Sequence, residues 1–163
     1  MKRRHVLVVD GYNILNAMGG ESGPIADARD RLTARLIDYA GFSGQEIVLV
    51  YDAWLSDRKL RTEEAHGPVT VVYTRKGETA DHYIERLCDE FERDVGAGRM
   101  ELRVATSDGI EQTLVMGRGA VRVSAREILI EMAQVRTEVH ESASPLHPRK
   151  IALIERLPED VRR

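Results

Sequence analysis

The strongest constraint on the fold is a regular alternation between short β-branched runs and longer segments whose apolar residues recur at helical spacing. Such runs predict buried strands, and the segments between them predict helices that cover a sheet. The predicted strands span residues 5–9, 47–51, 69–73, 102–105 and 121–123, and the predicted helices span 26–39, 79–95, 108–116 and 124–139. This order is typical of a three-layer α/β/α domain with a central, mainly parallel sheet of about five strands.

Glycine, proline and charged stretches set the expected boundaries. Gly41 should end the first long helix, because glycine is the usual residue after a helix terminus. The strongly charged stretch 56–65 indicates a short exposed helix or a mobile lid. Residues 1–143 are expected to form one domain. Residues 144–163 open with Ser-Pro-Leu-His-Pro and are expected to form a linker, a short helix and a charged tail.

Composition narrows the setting and the class of protein. Cys88 is the one cysteine among 163 residues, so no intramolecular disulfide can form, and a reducing, cytoplasmic location is expected. No signal peptide or membrane-spanning run is expected from the sequence. The net charge of −3 argues against a protein that coats nucleic acid through bulk positive charge. It does not argue against a nuclease, because bound metal reverses the local potential of an acidic site.

Aspartates stand where successive predicted strands end. Asp10 and Asp52 come directly after the first two strands, and Asp108 follows the fourth. Asp81 falls in the first turn of the helix after the third strand. Ligands of open parallel sheets bind in the crevice outside the carboxyl ends of the strands. We therefore expect these four carboxylates to meet at one edge, where they would repel one another unless cations neutralised them.

Carboxylate oxygens in such a cluster suit Mg²⁺ or Mn²⁺ better than zinc. The cluster can hold one ion, or two roughly 4 Å apart, that clamp a phosphodiester and activate water. Each aspartate taken alone has a structural explanation. Asp108 and Glu111 form a capping-box pattern, Asp81 suits a helix dipole, and Asp52 suits a turn. The prediction of a metal site depends on their convergence.

Five stretches of the sequence resemble, in order, the motifs of the YacP-like NYN-domain ribonucleases, relatives of the PIN and 5′-nuclease fold. They are VVDGYNIL (8–15), VYDA (50–53), KGETAD (76–81), ATSDGIEQ (105–112) and GAVRVSARE (119–127). Any one of them would be a weak signal. Their shared order makes the resemblance specific over about residues 4–140, and segment 54–67 matches least.

The resemblance implies a metal-dependent endoribonuclease with Mg²⁺ or Mn²⁺, acting on RNA. It also implies messenger RNA as the substrate and the ribosome as a partner. By this resemblance Asp10, Asp52, Asp81 and Asp108 would hold the metal, and Asn13 would contact a metal-bound water or a substrate phosphate. Thr106 and Ser107 would orient the carboxylates by hydrogen bonds.

Basic residues flank the predicted acidic edge. Arg75 and Lys76 precede Asp81, Arg118 follows the fourth predicted helix, and a further basic cluster lies at 58–61. Positive side chains beside an acidic metal site suit a phosphodiester chain. The expected substrate-binding residues are Asn13, Arg75, Lys76, Ser107 and Arg118. The basic residues can equally be solvated surface charges.

Two other functions stay open at this point. One is a catalytically inert module of the same fold that binds RNA or the ribosome. The other is a phosphatase-like hydrolase with an aspartyl nucleophile. The best-known version of that hydrolase has a second Asp two residues after the first, and residue 12 here is Tyr12. The sequence carries no signal for the oligomeric state.

Overall fold

The fold is a three-layer α/β/α sandwich around one six-stranded sheet. The computed structural model describes residues 2–19, 23–53, 59–106 and 117–143, with side chains as far as residue 135. The strands are β1 (Arg4–Asp10), β2 (Glu46–Tyr51), β3 (Thr62–His66), β4 (Val69–Tyr73), β5 (Met100–Ala105) and β6 (Val121–Val123). The helices in these ranges are α1 (Gly11–Ala17), α2 (Ile25–Ser43), α3 (Ala80–Gly96) and α4 (Ala125–Ala143).

The sheet has the order β3-β4-β2-β1-β5-β6, which places β1 and β2 at its centre. All neighbours pair in parallel except β3, which pairs antiparallel with β4. The register sets Asp10 opposite Val50 on one side of β1, and Val9 opposite Ala105 on the other. The carboxyl ends of β1, β2, β4 and β5 therefore lie along one edge of the sheet.

Side chains that alternate along the central strands form two separate hydrophobic cores. Leu7 and Val9 of β1 pack with α1, α2 and α4 on one face. Val6 and Val8 pack with α3 on the opposite face. A parallel strand covered by helices on both faces must be apolar along its whole length, which explains the continuous run at 6–9. None of the helices in the described part of the chain has the length and apolar character needed to cross a membrane.

The α/β/α architecture with a mainly parallel sheet is confirmed, but two local predictions were wrong. Part of the stretch 56–65, predicted as helix or lid, belongs to the edge strand β3, which a turn at Gly67 (φ 62°) joins to β4. Every residue of β3 is exposed, so the strand has no apolar alternation that could reveal it. Helix α2 continues through Gly41 and ends at Gly44, which has the left-handed conformation (φ 73°). The predicted helix at 108–116 and linker at 144–163 lie outside the described residues.

Candidate active site

Asp10 lies at the junction of β1 and α1 and caps the helix. It is the last residue of β1, and its Oδ1 accepts a hydrogen bond from the backbone N–H of Asn13 at 3.4 Å. Aspartate is among the best residues at this position, because its carboxylate satisfies an N–H that has no partner within the helix. Asn13 itself is half-buried in the first turn of α1. The cap fixes the Asp10 carboxylate at the carboxyl edge of the sheet.

Asp52 and Asp81 reach the same edge from β2 and α3. Asp52 follows the last residue of β2, and its Oδ2 accepts a hydrogen bond from the backbone N–H of Ala80, the first residue of α3, at 3.4 Å. Asp81 is the next residue of that helix. Thr74, fully buried after β4, accepts a hydrogen bond from the N–H of Ala53 at 2.8 Å and so fixes the chain just past Asp52.

The charges of Asp52 and Asp81 act on Asp10, and the charge of Asp52 acts on Asp81. Burial raises the pKa of Asp10 to about 6, and the charges of Asp81 and Asp52 add to the rise, against the N–H groups of Asn13 and Tyr12. Burial and the charge of Asp52 also raise the pKa of Asp81. Desolvation and like charges both disfavour the ionised carboxylate. The edge is therefore a site of accumulated negative charge that a cation would relieve.

Two predicted members of the acidic site, Ser107 and Asp108, lie outside the described residues. The residue before them, Thr106, is fully buried and stands one position beyond the Val9–Ala105 pair, level with Asp10. Arg122 donates a hydrogen bond to the Thr106 carbonyl at 3.0 Å. Among the residues that the structure does describe, no three His, Cys, Asp or Glu side chains form a ready-made metal-binding group.

The basic residues predicted to bind substrate occupy different surroundings. Arg75 and Lys76 are exposed in the loop between β4 and α3, just before Asp81. Arg118 forms ion pairs with Asp89 and Glu85 on the outer face of α3. The structure thus places Arg75 and Lys76 beside the acidic edge. Arg118 instead pairs with two acids further along α3.

A cluster of three tyrosines and Arg29 borders the edge on the side of α1 and α2. The ring centroids of Tyr12 and Tyr51 are 5.0 Å apart, and those of Tyr51 and Tyr73 are 5.6 Å apart. The Arg29 guanidinium lies 5.9 Å from the Tyr51 ring and 5.8 Å from the Tyr73 ring, and donates to the Tyr12 hydroxyl at 3.2 Å. Such contacts hold a cation on an aromatic surface. The tyrosines share a place near strand ends, but no sequence signal points to Arg29.

Gly11 allows the Tyr51 ring to pack directly against the start of α1. A Cβ atom built on Gly11 would lie 2.6 Å from Cδ1 and 2.9 Å from Cζ of Tyr51. Real Cβ atoms essentially never approach a ring so closely. Because Gly11 follows Asp10 and Tyr51 precedes Asp52, this contact packs the chain beside one acid against the chain beside the other.

The donor chemistry of the edge fits a hard divalent cation. Asp10, Asp52 and Asp81 contribute carboxylate oxygens, the ligands that Mg²⁺ and Mn²⁺ prefer. Zinc sites in proteins draw mainly on Cys and His instead. The raised pKa of Asp10, caused by burial and by the neighbouring acids, is the perturbation that a bound cation would reverse.

Comparisons with known proteins agree with this architecture. The family model of the YacP-like NYN domain matches residues 7–163. The YacP protein of Bacillus subtilis (strain 168) is 31% identical over 151 residues, which cover 90% of this chain and 86% of that protein. The crystal structure of Rae1 (YacP) from Bacillus subtilis is similar with a TM-score of 0.66 at 30% identity, covering 92% of this chain and 88% of that one.

A single-substitution mutant of Rae1 (YacP) from Bacillus subtilis gives a TM-score of 0.71 at 30% identity. That match covers 94% of this chain and 85% of the mutant chain. The sequence and structural matches each cover nine tenths or more of this chain. The chain therefore belongs to the YacP-like NYN domain family, which has a PIN-like fold and implies a nuclease or RNA-binding role.

Proposed function

We propose that this protein is a metal-dependent endoribonuclease that hydrolyses phosphodiester bonds of RNA, with messenger RNA on the ribosome as its substrate. The observation that carries the proposal is the convergence of Asp10, Asp52 and Asp81 at the carboxyl edge, where N–H groups at two helix starts hold the carboxylates of Asp10 and Asp52. Membership of the NYN family supports RNA as the substrate class. An inert RNA- or ribosome-binding module is the alternative that the experiment below must exclude.

Four aspartates would hold Mg²⁺ or Mn²⁺ in this proposal: Asp10, Asp52, Asp81 and Asp108. One or two such ions would supply Lewis acidity toward the phosphodiester and would lower the pKa of water at the site. The hydrogen bonds from the N–H groups of Asn13 and Ala80 hold Asp10 and Asp52 in place. Carboxylates that hydrogen bonds already hold in place would need little rearrangement when a cation and a phosphate bind.

The remaining chain residues bind and orient the substrate in this proposal. The Asn13 side chain, in the first turn of α1, would contact a substrate phosphate or a water at the site. Arg75 and Lys76 would bind phosphates next to Asp81, and Ser107 would orient a neighbouring carboxylate. Arg118 would contribute only if a substrate phosphate replaced Asp89 or Glu85 as its partner.

Hydrolysis by water predicts products with 5′-phosphate and 3′-hydroxyl ends. Attack by the ribose 2′-hydroxyl would leave a cyclic phosphate instead. The test is to digest a defined RNA with Mg²⁺ or Mn²⁺, with and without translating ribosomes, and to identify the ends. EDTA and Asp81→Asn should abolish cleavage. Glu92→Gln, which changes an exposed acid on the same helix, should leave cleavage intact.

Three results would contradict the proposal. Cyclic-phosphate products would show that the ribose 2′-hydroxyl, and not water, is the attacking group. Cleavage that survives both EDTA and Asp81→Asn would remove the acidic edge from the mechanism. RNA or ribosome binding without cleavage under any of these conditions would favour the inert module.

A further inference from the structure

A cleft of about 560 Å³ lies on the α3 side of the acidic edge, between the β4–α3 loop and the outer face of α3. Its cationic lining residues are Lys59, Arg75, Lys76 and Arg86, joined by His82. The volume falls within the range of roughly 300–1,000 Å³ that is usual for ligand sites. The cleft is therefore large enough for a short stretch of a charged ligand.

The two acids that line the cleft already face cations. Glu78 is buried and pairs with Arg61, whose Nε lies 3.0 Å from Oε1, and with Arg86 at 3.3 Å. Glu85 pairs with Arg118 at 3.5 Å. Arg61 also lies over the Tyr83 ring, 4.5 Å from its centroid. These contacts tie the segment before β3 to the β4–α3 loop, so the cleft has a fixed wall.

Three cations of the cleft form no close ion pair within the part of the chain that the structure describes. Lys59, Arg75 and Lys76 are exposed, and none has a carboxylate of that part within 4 Å, although the charge of Arg75 helps to lower the pKa of Glu78. A left-handed turn at Gly77 (φ 80°) follows the two loop residues. The cleft thus carries an excess of positive charge in a protein whose net charge is −3.

The cleft adjoins the acidic edge directly. His82 lines it, while the preceding residue, Asp81, interacts with Asp52. An RNA chain that reached the acidic edge from this side would pass the Arg75–Lys76 loop. A positive groove that follows the backbone is how proteins bind single-stranded nucleic acid without reading its sequence.

We infer that this cleft binds the phosphodiester backbone of a single-stranded RNA segment that flanks the bond to be cleaved. The inference rests on the proposed function for its substrate class, and it adds the place of the flanking contact. Two residues outside the predicted site, Lys59 and Arg86, become phosphate-binding residues. Buried Glu78 becomes a positioning residue, because it holds Arg86 and Arg61 in place.

Equilibrium binding in EDTA tests the inference without any cleavage. The affinity of the full chain for a fluorescent single-stranded RNA is measured by anisotropy over a range of salt concentrations. Each phosphate of a single strand that the protein neutralises adds about 0.7 to the steepness of log K against log salt. The double variant Arg75→Ala/Lys76→Ala should therefore make this dependence shallower by about 1.4 and weaken binding.

A matched control changes two arginines at the opposite edge of the sheet. Arg4 pairs with Glu46 and Arg99 pairs with Asp94, so Arg4→Ala/Arg99→Ala removes the same charge away from the cleft. We expect this control to keep the wild-type slope. Lys59→Ala should make the slope shallower by about 0.7 in the otherwise intact protein.

The outcomes separate this inference from the proposed function. An unchanged slope in the cleft variants, an equal change in the control, or no salt-dependent RNA binding by the wild type would overturn the inference. If the cleft variants weaken binding only of RNA that carries a 5′-phosphate, the ligand of the cleft is a terminal phosphate and not the backbone. Weaker binding to an acidic peptide, with RNA binding kept, would assign the cleft to a protein partner. RNA that binds in the cleft but is never cleaved contradicts only the proposed function.

Discussion

Gly11→Ala tests whether the contact between Tyr51 and the start of α1 is as tight as the structure shows. Local backbone preference favours alanine, because Gly11 is helical, has no positive φ, and loses more conformational freedom on folding than alanine does. The contact with Tyr51 predicts instead that alanine at position 11 lowers the free energy of unfolding. The new Cβ would lie 2.6 Å from Cδ1 of Tyr51, a ring that is fully buried. Inserting a methyl group into a packed core costs about 1–3 kcal/mol.

Gly41→Ala is the matched control, because Gly41 is also helical and has no heavy atom within 4 Å of the added Cβ. This change should stabilise the protein by about 0.4–1 kcal/mol. Urea unfolding followed by circular dichroism gives both free energies from the midpoint and slope. Gly11→Ala should lower the free energy of unfolding by about 1–3 kcal/mol. It should also reduce the proposed nuclease activity, because a shift of the Tyr51 ring would disturb the chain next to Asp10 and Asp52.

The variant Tyr51→Leu supplies a second measurement at the same contact. It removes the ring atoms that a Cβ on Gly11 would meet, so the alanine should cost less in that background. A coupling energy of about 0.5–3 kcal/mol between the two changes is expected for residues in contact. Gly11→Ala with wild-type stability or better, together with additive changes in the double variant, would refute the reasoning.

Three further predictions concern titratable groups. Without metal, the contribution of Asp10 to the free energy of unfolding should fall as pH rises from about 4 to 6, because the folded Asp10 (pKa about 6, ordinary value 3.8) binds more protons than the unfolded residue. Glutamates with lowered pKa values act in the opposite direction, so the measurement is the difference in free energy between the wild type and Asp10→Asn at each pH. Thermal melts should show Mg²⁺ or Mn²⁺ stabilising the wild type more than Asp10→Asn; equal shifts would count against a ligand role. Burial opposes the charge of Glu131, but hydrogen bonds from Arg103 and Tyr39 outweigh it and lower the pKa. The Glu131 side chain is 37% exposed and solvent screens its charge, so urea unfolding of Glu131→Gln should show a cost of at most about 1 kcal/mol at neutral pH and less in acid.

The sheet was predictable because its central strands are buried on both faces. Runs such as 6–9 and 47–51 are apolar throughout, a pattern that helices rarely show at that length. β3 was not predictable, since all five of its residues are exposed and only its pairing with β4 defines it. The end of α2 was predicted at Gly41, but the helix continues to Ser43. The glycine that stops it is Gly44, because Gly44 has the left-handed conformation.

The candidate site was predictable only in part. The positions of Asp10, Asp52 and Asp81 follow from parallel strands that end at one edge, and the structure brings these side chains close enough to interact electrostatically. Their role as metal ligands stays a prediction. The pairing of Glu78 with Arg61, and the stacking of Arg29 on tyrosines, join residues far apart in sequence. No local pattern encodes such contacts.

The two helix-start hydrogen bonds place one backbone amide in each helical layer in contact with a carboxylate of the acidic edge. Asp10 accepts from the amide of Asn13 in α1, and Asp52 accepts from the amide of Ala80 in α3, on opposite faces of the sheet. A cation bound by the same carboxylates would withdraw negative charge from both acceptors at once. The amide protons of residues 13 and 80 should therefore change their exchange rates and chemical shifts together when metal is added. Two helices that share no hydrophobic core would then respond together to a charge bound at the edge between them.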